Sequence, residues 1–236
     1  MKTTLHFEQL EPRLPCRGFA DPHVTLSFAP EGTQWGANGM TAEVSTMWQA
    51  CVLEALEQWD AVSGLEIEIV ADDGSPRQVR APDGRVYAAQ GEAGFGDLRI
   101  GAAGEGWDDS STLDAAWYAF MPSSTAGGGD HWIDLDHPRV QRIMENHEDM
   151  HRFSLHLTGR MLGLPAFHRA APGSLMASGV SGAHELTAAD IAAIQSLYGP
   201  PEEEGSRQEA VGSEEPPARR YPTAPAVRIN GVKMFI

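Results

Sequence analysis

His156-Leu-Thr-Gly-Arg-Met-Leu-Gly-Leu-Pro-Ala-Phe-His-Arg-Ala-Ala-Pro-Gly-Ser-Leu-Met176 is the stretch whose reading decides the fold. It carries His156 and His168 on either side of Gly163, and closes on a turn-forming Pro172-Gly-Ser before Leu175-Met176. Just beyond it, Thr187-Ala-Ala-Asp190 is a capping box in which hydroxyl and carboxylate satisfy each other's backbone N–H groups. Ile191, Ile194, Leu197 and Tyr198 then line one face of a helix that Gly199-Pro200-Pro201 stops.

Taken together, Phe153-Ser-Leu-His156, Gly159, Leu162-Gly163-Leu164, Pro172-Gly-Ser-Leu-Met176 and Leu186-Thr-Ala-Ala-Asp-Ile-Ala-Ala-Ile-Gln-Ser-Leu-Tyr-Gly199 resemble a bacterial matrixin, one of the metzincin zinc metallopeptidases. The resemblance spans residues 21–200. It implies an α+β, zincin-like domain: a twisted mixed sheet, a long packing helix, an active-site helix, a Met-turn and a C-terminal helix. A metzincin site reads H-E-x-x-H-x-x-G-x-x-H before its Met-turn, with two histidines one helical turn apart and the glutamate as general base. On that pattern His156 is the first histidine, Gly163 the glycine at which the helix ends, and Met176 the Met-turn methionine. Leu157 stands in place of the base, Arg160 in place of the second histidine and Ala166 in place of the third, while His168 follows two residues late.

These substitutions bear directly on chemistry. Zinc hydrolysis needs three protein ligands, an open position for water and a group that takes the water's proton. Leu157 accepts no proton, and a permanently charged guanidinium at Arg160 repels the ion and cannot ligate it. His156 and His168 would form at best a two-histidine metal site, and a hydrogen-bonded interior histidine is the simpler reading of His156. Arg160 would either fill the volume and charge role that zinc vacates or extend to solvent along its aliphatic stem. The expectation is a catalytically impaired homologue that retains a peptide-binding cleft.

A competing motif lies upstream, because His147-Glu-Asp-Met-His151 matches H-E-x-x-H. On a helix His147 and His151 share a face, with Glu148 as the catalytic carboxylate of an active zinc endopeptidase. Two features oppose this. No Gly-x-x-His follows in register, and His156 lies roughly 140° round the helix from His151 at about 100° per residue. The resemblance also places Asp149 at the helix start, which would leave His147 and Glu148 before it. Glu185 is the available distant carboxylate for such a site.

Working outward, the chain has 236 residues, enough for one sizeable core with appendages. A formal net charge of −16 argues against nucleic acid or an anionic membrane as partner and suits a protein tolerant of Ca²⁺. Cys16 and Cys51 make no disulfide framework. Residues 1–20 read as a polar tail without the apolar run of a secretory signal, and no stretch is long enough to span a bilayer. Phe7-Glu-Gln-Leu-Glu-Pro-Arg-Leu14 resembles the LEPR segment of exported or surface-associated bacterial proteins, which implies export.

His23–Phe28, Leu65–Val70 and Gly96–Gly101 read as strands. Val44, Trp48, Cys51, Val52, Ala55, Leu56 and Trp59 recur at helical spacing and define a core-facing helix stopped by Gly64. Pro82-Asp-Gly84, between Val79 and Val86, predicts a hairpin insertion. Ala116–Pro122 and Gly127–Asp134 resemble the family's substrate-side edge strand and its preceding loop. Tyr118 falls where a structural-zinc histidine would lie, so that zinc is not expected; Asp130, Asp134 and Asp136 offer oxygen ligands of the kind Ca²⁺ takes. Residues 202–225 have the composition of a disordered linker, and Val227–Ile236 reads as a strand with Asn230-Gly231 as a turn.

Overall fold

The computed structural model describes residues 18–35, 38–40, 42–76, 94–104, 116–123, 127–166, 170–178 and 183–201, and the strand backbone at 226–229 and 232–235. The elements in chain order are β1 (His23–Phe28), β2 (Gln34–Trp35), β3 (Asn38–Gly39), α1 (Thr46–Ala61), β4 (Glu66–Ile69), β5 (Leu98–Ala103), β6 (Trp117–Ala119) and β7 (His131–Asp134). There follow α2 (Pro138–Met144), α3 (His147–Met161), α4 (Leu175–Ser178), α5 (Ala188–Tyr198), β8 (Ala226–Ile229) and β9 (Val232–Phe235). The hairpin expected around Pro82, His168, the LEPR segment and the acidic linker lie outside the described residues.

β1 sits at the centre of the sheet because it is buried on both faces: Val24 and Leu26 join the apolar core, and Thr25 and Ser27 are buried on the opposite side. It pairs in parallel with β4 and with β5, β5 pairs in parallel with β7, and β6 runs antiparallel on the outside of β7. The central order is therefore β6-β7-β5-β1-β4, with β6 at one edge among the described residues. Such parallel pairings require crossovers. α1 provides the one between β1 and β4, and its predicted apolar positions, Trp48, Cys51, Val52, Ala55, Leu56 and Trp59, are all buried. Instead of the one C-terminal strand read from the sequence there are two, β8 and β9, and β9 continues the sheet in parallel beside β4.

α1 and α3 cover the same face of the sheet and lock to each other through Trp59. Its indole Nε1 donates to the Leu155 carbonyl at 3.2 Å and to Thr158 Oγ1 at 3.1 Å. Trp48 meets Phe153 with ring centroids 5.7 Å apart, and Trp117 on β6 meets Phe153 edge-on at 4.8 Å. Phe153 thereby fixes α3 against both the packing helix and the sheet edge.

The opposite face of the sheet is polar at its centre. Arg99, in register with Ser27, donates from Nε and Nη2 to the two carboxylate oxygens of Asp72, at 2.8 and 2.6 Å, and from Nη1 to the Ser75 carbonyl. Its guanidinium lies 3.8 Å from the Phe95 ring centroid. Ser27 Oγ donates to Asp72, and Asp97 accepts from both the backbone N–H and the hydroxyl of Thr25. These groups tie the segment after β4 and the segment before β5 onto β1.

Two further ties close the domain. Tyr198 Oη donates to the Leu162 carbonyl at 2.7 Å and accepts the Phe19 N–H at 2.9 Å, joining α5 to the end of α3 and to the start of the described chain. Burial pushes the Tyr198 phenol up to about 12, so both bonds persist across the physiological range. Among the described residues, no helix is long and apolar enough to cross a membrane.

Candidate functional site

α3 begins earlier than the resemblance implies. Asn146 Oδ1 accepts the Glu148 N–H at 2.9 Å and caps the helix, so His147 and Glu148 lie in its first turn rather than before it. Glu148 and Asp149 then suit the positive end of the helix dipole. The other end follows the expectation. Gly163 adopts φ 100°, its N–H bonds to the Arg160 carbonyl at 3.0 Å, and the Leu164 N–H reaches back to Gly159 at 2.9 Å. This left-handed cap satisfies the last carbonyls and redirects the chain beneath the helix.

The turn that carries Met176 is held against α3 by the closing helix. Asp190 accepts from the Leu175 N–H at 2.9 Å, the Met176 N–H at 3.3 Å, and the N–H and hydroxyl of Thr187 at 3.0 and 2.7 Å. The capping box read from the sequence is present, and its carboxylate also holds the turn that carries Met176. Met176 fits under α3 because residue 159 is glycine: a Cβ there would stand 2.7 Å from Met176 Sδ and 2.9 Å from Trp59 Cζ2.

On this frame His156 is only 4% exposed. Burial pushes its imidazole down to about 4; a hydrogen bond to the Leu175 backbone opposes the shift, the Arg160 cation adds to it, and Asp190 opposes it. Arg160 is half-buried one turn later, with Nη1 donating to the Leu164 carbonyl at 3.5 Å. Leu157, 1% exposed, is packed into the apolar core, and Ala166 and Met176 are buried beside it in the same cluster. His156 thus lies against both the Leu175 backbone of the turn that carries Met176 and the Arg160 cation. On the pattern that the resemblance implies, the donor set does not suit tetrahedral zinc: Arg160 would stand at the second ligand position, the methyl group of Ala166 at the third, and Leu157 at the position of the base.

The His147–His151 motif has its own partners. Glu148 Oε1 accepts from Nδ1 of His184 at 2.8 Å, and Arg152 pairs with Asp149 and reaches His184 Nε2 at 3.3 Å. His151 Nε2 lies 2.9 Å from Gln58 Nε2 on α1; burial lowers the pKa of its ring, Glu54 opposes this and His147 adds to it. Glu185 is exposed ahead of α5. Of the acidic residues near β7, Asp130 is buried, Asp134 half-buried and Asp136 exposed, and Asp134 Oδ1 accepts the Asp136 N–H at 2.9 Å. Among the described residues, no group of three or more His, Cys, Asp or Glu side chains is arranged to hold a metal ion.

The edge strand β6 borders this region through Trp117, whose ring packs on Phe153 and lies 5.1 Å beneath the Arg139 guanidinium. Tyr118 projects to the opposite face, 43% exposed, with its ring 4.6 Å from Phe120. His131, in register with Ala119, was not singled out by any sequence pattern. Burial pushes it down to about 3, with the nearby Tyr118 backbone opposing the shift. Its strand neighbours Trp132 and Ile133 signal burial, but nothing local signals an interior histidine.

Two histidines held neutral by burial predict a pH dependence. In the unfolded chain His156 and His131 take up a proton near pH 6.5, whereas in the folded chain they resist it to about 4 and about 3. The stability they contribute is fully present above pH 6.5 and is lost as the pH falls through that value toward 4, because only the unfolded state gains protons. Urea unfolding at pH 7, 6 and 5 is expected to show declining stability, and His156→Gln is expected to flatten the decline. An imidazole of His156 that titrates by NMR near 6.5 would refute this.

No model of a known protein family matches the sequence, and no curated protein is significantly similar to it.

Proposed function

We propose that this protein is a matrixin-like homologue of the zinc metallopeptidases that has lost peptide hydrolysis and binds an extended peptide along β6 by strand addition. The observation that carries the reading is the pairing of Leu157 with Arg160. The position of the base is an apolar side chain sealed in the core, and the position of the second ligand is a half-buried cation beside a neutral histidine. Neither residue can activate water; the left-handed end of α3 at Gly163, the turn that carries Met176 and the closing helix α5 support the matrixin-like reading.

Further support comes from the architecture. The strand assigned by resemblance to the substrate side is the antiparallel edge of an otherwise parallel central sheet, and α3 is anchored to it through Phe153 and Trp117. An edge strand offers unpaired backbone groups to an incoming chain. The LEPR-type segment supports an exported or surface-associated setting, where peptide partners would be met.

A second reading, an active zinc endopeptidase using His147, Glu148 and His151, is favoured by one observation: α3 starts at His147, so both histidines lie on one helix, one turn apart. Metal content separates the two. Chelator-washed protein is re-exposed to Zn²⁺, and wild type is compared with His147→Ala and His156→Ala. The pseudopeptidase reading expects no stoichiometric zinc, no cleavage of an unfolded protein and metal-independent peptide binding. One zinc per chain lost only in His147→Ala, with cleavage abolished by chelator, would establish the second reading instead. Zinc lost only in His156→Ala would mean that the matrixin pocket still binds metal despite Arg160.

A further inference from the structure

We infer that the C-terminal hairpin β8–β9 is an exchangeable strand pair: it caps β4 in its own chain and docks in the same way on β4 of a second copy, linking two molecules. β9 lies in parallel beside β4, with Glu68 opposite Lys233 and Ile69 opposite Met234. β8 runs antiparallel beyond it, with Arg228 opposite Lys233 and Val227 opposite Met234. Two rows therefore cross the three strands, Glu68, Lys233 and Arg228 in one and Ile69, Met234 and Val227 in the next. Successive residues of a strand alternate between faces, so the charged row and the apolar row lie on opposite faces of the sheet. Ile67 is buried in the core and Ile69 packs against it, which puts the apolar row on the helix-covered face.

The hairpin is incomplete by itself. A lone two-stranded hairpin is at best marginally stable in water, and like charges directly opposite one another, as Arg228 and Lys233 stand, weaken it further. β4 supplies a third strand, an apolar neighbour in one row and a carboxylate in the other. Glu68 also lies 3.2 Å from Nε2 of His23 on β1, on the side of β4 away from β9. Without β9, β4 would end the sheet of described residues as an unpaired edge.

The connection to the hairpin is long enough for a second copy to meet these needs. The Gly64 N–H donates to the Gly199 carbonyl at 2.9 Å, so the chain leaves α5 beside the start of β4. Ala226 pairs with Phe235, which follows the Met234 opposite Ile69, so the hairpin begins at the far end of β4. β4 has 4 residues, a span of about 13 Å. Residues 202–225 would reach about 80 Å if extended. Closure within one chain uses a small part of that reach; the excess lowers the effective concentration of the tethered hairpin and lets it span to a neighbour. The exchanged pair repeats the contacts of the single chain, which makes the swap a low-cost route to a dimer.

The test uses full-length chains carrying Glu68→Lys or Lys233→Glu, studied separately, mixed in equal amounts, and combined in one chain. In either single variant, β4 and β9 of the same chain bring like charges together. In the mixture, exchange sets the unchanged Lys233 of one chain opposite the unchanged Glu68 of the other, and sets the two substituted positions opposite each other with opposite charges. Sedimentation equilibrium is expected to show a dimer in the mixture at least about tenfold tighter than in either variant alone or in wild type, where closure within one chain competes. Hydrogen exchange at Glu66–Ile69 is expected to be faster in each single variant than in wild type and to slow again on mixing. The double variant, complementary within one chain, is expected to match wild type in both readouts. A mixture no more dimeric than wild type would overturn the inference, and so would a dimer that forms without renewed protection of β4, since its contact would lie elsewhere. Where a single variant is unstable alone, the two are refolded together, and absence of a dimer then overturns the inference equally.

Discussion

Asp72→Ala is expected to lower the stability of the fold by about 3–5 kcal/mol, because it removes the carboxylate that accepts from both Nε and Nη2 of a buried arginine. Arg99 has no exposed side-chain surface and Asp72 only 2%, so water cannot replace the lost partner. The substitution also strips Ser27 Oγ of its acceptor, so the damage extends to the central strand β1. The Phe95 ring and the Ser75 carbonyl remain beside the guanidinium but cannot balance a full charge. Replacing both charges, as in Asp72→Leu with Arg99→Met, is expected to cost less than Asp72→Ala alone, because no isolated charge then remains in the interior. Urea unfolding of the two single variants and the double variant measures this. Additive losses would mean that the pair is not coupled, and a loss below about 1 kcal/mol for Asp72→Ala would mean that Arg99 reaches solvent.

Gly159→Val should cost about 3 kcal/mol and loosen the turn that carries Met176. The added Cβ alone would overlap Met176 Sδ and the Trp59 ring, and valine's two methyl groups extend further into the same gap between α1, α3 and the turn. Trp59 cannot easily retreat, since its Nε1 is bound to Leu155 and Thr158. Met176 is the softer neighbour, so Gly159→Ala should be milder and should be relieved further by Met176→Ala, which opens space for the new methyl. A double-mutant cycle on Gly159→Ala and Met176→Ala is expected to show coupling of about 1 kcal/mol. Because the turn's Leu175 backbone is hydrogen-bonded to His156, Gly159→Val should also release His156 toward an ordinary titration, readable by NMR. Unchanged stability would mean that the turn is not seated under α3.

Much of this architecture is legible in local sequence. The α1 stripe from Trp48 to Trp59, the alternation of His23–Phe28, the capping box at Thr187 and Asp190, and the helix stop at Gly163 each depend on residues no more than a few positions apart. Hydrophobic period and capping chemistry are local quantities, so a linear reading recovers them. The start of α2 rests on equally local chemistry, with His137 as a capping residue ahead of Pro138 at the first helical position.

The sequence by itself determined that Leu157 and Arg160 stand where the proposed matrixin-like pattern would need a general base and a second zinc histidine, and neither side chain can take those roles in any conformation. Tertiary structure alone decided what the remaining groups do. It capped α3 with Asn146 and so placed His147 and Glu148 inside the helix, and it gave Glu148 to His184 across a gap of many residues. It buried Arg99 against Asp72 and His131 within the sheet, and it put one carboxylate, Asp190, under both the closing helix and the turn that carries Met176. Those outcomes depend on which distant groups share a low-polarity interior, and the energy of a buried charge or hydrogen bond is set by such neighbours rather than by adjacent residues.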